Sequence, residues 1–183
     1  MNTDEEIMLH TQNWVKSFIV QHNVCPFASR EVEKNSIRQC VIRSKKTQVA
    51  LEELMTECVW LDDNADTETT LIIFPTLFRN FYDYLDFVEL AEACLADQGY
   101  DGVYQIATFH PDYIFDGTME DDVTNYTNRS PYPMLHLLRE SSLDKAIAFH
   151  GNTEQIPEEN ILKMQELGKQ SIEKILQACF TNH

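Results

Sequence analysis

Side chains able to do chemistry stand at three places in the chain: Cys25 in Asn23-Val24-Cys25-Pro26-Phe27, His110 in Phe109-His110-Pro111, and His136 with Arg139 and Glu140 in the run 128–140. A thiol beside an imidazole is a nucleophile with its base, and a thiol with two imidazoles supplies three of the four ligands of a zinc ion. Neither arrangement has a local signature here, because the histidines follow Cys25 by 85 and 111 positions. The fold must bring them together, so Cys25, His110, His136 and Glu140 are catalytic candidates and no metal set is assigned.

The run Asn128-Arg129-Ser130-Pro131-Tyr132-Pro133 leads into His136 and Arg139 without an acidic residue, in a chain where acids outnumber bases about two to one. With Pro133 opening a helix over 134–148, His136 faces Arg139 and Glu140 at i+3 and i+4. A helix start offers unpaired amides, and arginines add bidentate contacts. Asn128, Arg129, Ser130 and Arg139 are therefore the expected ligands of a small phosphate or carboxylate. The structural alternative pairs Arg139 with Glu140 or an acidic loop and leaves Asn128 to close a turn. The acidic run 112–122 imitates a calcium loop at Asp116-Gly117 but places Ile114 where an oxygen ligand is required, which leaves a solvated or lid-like face. Neither GxGxxG, GxxxxGK[ST], HExxH nor GxSxG occurs.

Periodicity supplies the elements that position these residues. Thr3 and Glu6 form a capping box for a helix over 4–21. A β-leaning run at 39–43 precedes a helix opened by Thr47, and the apolar run 70–74 is a buried strand closed by Pro75. A helix over 80–97 ends before Gly99, and a strand over 103–109 follows. The stretch 110–133 has no period and is long enough to carry function. Pro157 opens the last helix. This alternation predicts an α/β fold with a small, mainly parallel sheet of three or four strands and helices packed on it, or a ferredoxin-like α+β sheet as the alternative. Ligands then lie beyond the carboxyl ends of the strands, at Arg43-Ser44, Phe74-Pro75-Thr76 and Phe109-His110-Pro111.

At 183 residues the chain reads as one domain, 1–183, with a core that needs no metal or disulfide for folding. Thirty acids against fourteen bases give a formal charge of −16, which argues against nucleic acid or an anionic membrane as partner. The longest apolar runs fall far short of the roughly 20 residues a spanning helix needs, and the acidic start at 1–6 is unlike a signal peptide. The five cysteines are odd in number and lack a CxxC pair, as expected of reduced thiols in a cytoplasmic protein.

The segments Asn-Val-Cys-Pro-Phe-Ala at 23–28, Tyr-Gln-Ile-Ala-Thr-Phe-His-Pro at 104–111 and Asn-Arg-Ser-Pro-Tyr-Pro-Met-Leu-His-Leu-Leu-Arg-Glu at 128–140 resemble an uncharacterised bacterial family, the domain of unknown function number 1415. The likeness covers nearly the whole chain. It implies a single cytoplasmic domain and brings no activity, cofactor or substrate with it. The expected function is thus a small-anion pocket with a hydrolytic capability. The rival is a non-enzymatic interaction protein whose acidic face meets a basic partner.

Overall fold

The computed structural model describes residues 2–151 and 153–181, the side chain of His150 excepted. Helix α1 (Asp4–Trp14) begins with the expected capping box: Thr3 Oγ1 accepts from the Glu6 amide, and the Glu6 carboxylate accepts from the Thr3 amide. The helix widens into a π-type segment, Val15–Val20, and the chain leaves it by a left-handed Asn23 (φ 49°). A six-residue helix α2 (Ala28–Glu33) follows; it buries no residue and so leaves no period to read.

The sheet holds β1 (Ile37–Val41), β2 (Thr69–Ile73), β3 (Tyr104–Phe109) and β4 (Met134–Arg139) in the order β1-β2-β4-β3. Only β1 and β2 pair in parallel; β4 is antiparallel to β2 and to β3. The expected mainly parallel sheet is therefore corrected to a mixed one. The cause is specific. Strands β1, β2 and β3 do run in one direction, but β4 enters between β2 and β3 and separates them. The segment read as a helix over 134–148 is this strand, followed by helix α5 (Glu140–His150). Met134, Leu135 and Leu137 are wholly buried, because a central strand covered on both faces is apolar almost throughout, which periodicity cannot tell from a buried helix.

Helices α3 (Thr47–Asp63) and α4 (Phe81–Asp97) cover one face of the sheet, meeting Ile72, Phe74, Ile106, Leu135 and Leu137. The other face carries Leu71, Ile73 and Met134, against α1, the π-type segment, α6 (Ile156–Leu167) and α7 (Lys169–Ala178). Gly99 (φ 81°) follows the end of α4 in the left-handed conformation expected of a C′ glycine. The expected single last helix is two, broken at Gly168 (φ 71°). In the long connection, a 3₁₀ turn (Val123–Asn128) is stitched by Asn125, whose amide oxygen accepts from Phe115 N and Thr118 Oγ1 while its Nδ2 donates to Met119 O. Among the described residues no helix is long and apolar enough to cross a membrane.

Candidate functional site

Alternation along the strands separates the expected catalytic residues. His136 shares a face with Met134, beside Leu71 and Ala107 on the neighbouring strands, and its ring contacts Phe109 at 6.2 Å. Cys25 packs against the same cluster. His110 follows Phe109, turns to the opposite face, and rests on Phe81 and Tyr84. It is fully buried. Its Nε2–H donates to Phe78 O at 2.7 Å and its Nδ1 accepts from Asp112 N at 2.9 Å, so both ring nitrogens are engaged in holding backbone. Burial holds His110 below the ordinary imidazole value and pushes His136 down to about 4; both are neutral at pH 7. Burial also raises the Cys25 thiol, against a smaller opposing effect of the Phe27 and Ala28 backbone. Among the described residues no group of three or more His, Cys, Asp or Glu side chains is placed to hold a metal ion.

The two arginines lie at opposite ends of the sheet, because the segment joining them is a strand about 17 Å long. Arg139 points to the α3 side, where its guanidinium donates to the carbonyls of Leu61, Asn64 and Thr67 and to Tyr104 Oη. It closes the C-terminus of α3. Glu140 opens α5, its amide donating to Val103 O. Asn128 Nδ2 donates to Thr108 O, and Ser130 Oγ donates to Tyr132 O. Arg129 lies over the Tyr126 ring at 4.5 Å and donates to the carbonyls of Tyr113 and Glu120. It lines a cleft of about 480 Å³ with Lys169, but also with Asp112, Glu120, Asp121 and Glu173. Four carboxylates against two cations make that cleft net acidic.

A second cavity, about 300 Å³, lies beside the carboxyl end of the parallel pair and is lined by Thr47, Leu77, Phe78, Asp83, Asp86, Phe87 and Leu90. The loops leaving β1 and β2 are tied by Thr76 Oγ1, which donates to the carbonyls of Arg43 and Ser44. They carry Arg43, Lys45, Lys46 and Arg79 and no acid. Arg43 is paired with Asp4, while Lys45, Lys46 and Arg79 are exposed and form no ion pair among the described residues. Helix α3 starts here without a side-chain cap; its first backbone bond runs from Ala50 N to Lys46 O. The amides of Thr47, Gln48 and Val49 therefore have no partner among the described residues. The cavity wall is shaped by Phe78, a bulky residue held at φ 58°, a conformation costing about 1–3 kcal/mol. The His110 hydrogen bond to its carbonyl and stacking on Phe87 at 4.2 Å hold it there. Sequence reasoning reached this strand end but passed over Lys45, Lys46 and Arg79. A local count of charge over 42–51 and 74–80, basic within an acidic chain, is the signal that finds them.

The sequence profile of the family described as "Protein of unknown function (DUF1415)" matches residues 6–174, and the chain belongs to that family. No curated protein and no solved structure matches it.

Proposed function

We propose that this member of the DUF1415 family binds a small organic anion at the carboxyl end of the β1–β2 pair. The observation that carries the reading is the uncapped start of α3, a 17-residue helix, between loops bearing Lys45, Lys46 and Arg79. The helix dipole places about half a positive charge at those amides, and the opposite end of the same helix is closed by Arg139. The site lies beyond the carboxyl ends of β1 and β2, the end of an open α/β sheet at which ligands are taken. Arg129 is a weaker anchor, because the four carboxylates around its cleft repel an anion. The function proposed is binding rather than hydrolysis. His110 has no free nitrogen, and Cys25 and His136 lie on the other face of the sheet.

Phosphate tests the reading directly. In the wild type it should raise the melting temperature with the logarithm of its concentration and shift the amide resonances of Thr47, Gln48 and Val49. Replacing Lys45 and Lys46 together by alanine should remove at least half of that rise. An equal rise in both proteins, with no movement of those three amides, rejects the site, since non-specific salting acts on both alike.

A further inference from the structure

The cavity of about 300 Å³ lies between Thr47 of α3 and Asp83, Asp86 and Leu90 of α4, and the two helices continue side by side beyond it. Each leaves the carboxyl end of one strand and returns to the start of the next. Because β1, β2 and β3 run in one direction, α3 and α4 are parallel, each 17 residues and about 25 Å long. Leu51 and Met55 follow Thr47 at i+4 and i+8 and are only half-buried. Val59, one turn on, is 54% exposed, and Leu90 of α4 is 52% exposed. Single exposed apolar residues are ordinary, but such a row along two adjacent helices is an uncovered groove.

Exposed carboxylates flank the row: Glu52 and Asp63 on α3, and Asp83, Asp86 and Asp97 on α4. The two helices carry five acidic residues each and no lysine or arginine. Among the described residues only Glu57 of these is in an ion pair, buried against Arg38. The layer on the other face of the sheet is mixed, with Lys163, Lys169 and Lys174 set among the acids of α6 and α7. Unneutralised negative charge is thus gathered around the apolar row.

We infer that this groove receives a basic amphipathic helix of another protein, its apolar stripe on Leu51, Met55, Val59 and Leu90 and its lysines or arginines over the carboxylates of both rims. Both walls are helices whose backbone groups are bonded within the wall, so side chains alone are left to dock, and a third helix seats between two at a spacing of about 8–10 Å. A second copy of the chain does not supply it, because α7, with Lys169 and Lys174, already packs its apolar face on the sheet. The reading is independent of the anion site, since the flanks of the helices carry it and not the α3 amides.

The probe is a peptide of about 15 residues of leucine and lysine spaced for one apolar face, compared with a scrambled peptide of the same composition and with spermine. Each is titrated into the full chain at about 150 mM salt, where long-range attraction is screened. The patterned peptide should bind at least tenfold more tightly than the scrambled one and shift the amides of 51–59 and 86–93. Val59→Ser with Leu90→Ser, which keeps the charge, should weaken it at least fivefold. Glu52→Gln with Asp86→Asn should weaken it at least tenfold, whereas Glu158→Gln with Glu166→Gln, an equal change of charge on α6, should alter it less than twofold. All six positions are exposed, so the variants keep the fold, as unchanged melting temperatures will show. Equal weakening by the two charge-matched pairs, or equal affinity of the scrambled peptide, overturns the groove and leaves only the diffuse attraction of an acidic protein. Spermine matching the patterned peptide in affinity and in shifts overturns it in favour of a small cation. A concentration-dependent dimer abolished by Val59→Ser with Leu90→Ser overturns it in favour of a second copy.

Discussion

His110 is a positioning residue: it grips Phe78 O on one side and Asp112 N on the other, so a single ring joins the β2–α4 loop to the loop after β3. His110→Ala leaves the buried Phe78 carbonyl and the Asp112 amide without their partner and opens a cavity against Phe81 and Tyr84, and should cost about 2–4 kcal/mol in urea unfolding. A cost below 1 kcal/mol shows that Phe78 keeps its left-handed backbone without the histidine. The thiol at Cys25 calls for a different measurement. Burial keeps it protonated at neutral pH, and the thiolate is the reactive form. Labelling of Cys25 in the native protein should be slow at pH 7 and accelerate above pH 9. Fast labelling at pH 7, mapped by mass to that peptide, contradicts the direction of the shift.

At the scale of elements, the capping box of α1, the buried strand β2 and the C′ glycine of α4 were legible because each is a local rule written in consecutive residues. Strand β4 was not. Met134-Leu135-His136-Leu137-Leu138-Arg139 contains good helix formers behind a proline, and only its insertion between β2 and β3 makes it a strand. The strand places His136 and Arg139 on opposite faces of the sheet, where a helix would have set them side by side. The strand ends survived the error, since they depended on β1, β2 and β3 alone. Arg139 now belongs to α3. Removing its donors from the carbonyls of Leu61, Asn64 and Thr67 by Arg139→Ala should destabilise the protein by about 2–4 kcal/mol, with phosphate present or absent. If the loss appears only in the presence of phosphate, Arg139 is an anion ligand after all.

Two opposing effects act on the whole molecule as pH falls. The chain carries a formal −16 with a pI near 4.6, so acidification reduces self-repulsion and favours the compact state. His110, which is buried, and the half-buried His136 act the other way. An unfolded imidazole titrates near pH 6.5, whereas His136 in the sheet is pushed down to about 4 and His110 is also lowered, both chiefly by burial. Between about 6.5 and 4 the unfolded chain thus holds protons that the folded chain refuses. The stability these groups contribute is complete above pH 6.5 and is lost as pH falls through that window. Subtraction isolates the histidine, because carboxylates and net charge are common to the wild type and to His136→Leu. The variant places an aliphatic side chain beside Leu71 and Ala107, so its fold should survive at pH 7. Its urea midpoint should then decline less between pH 7 and pH 5 than that of the wild type. Parallel declines in the two proteins show that His136 titrates in the folded state as it does in the unfolded chain.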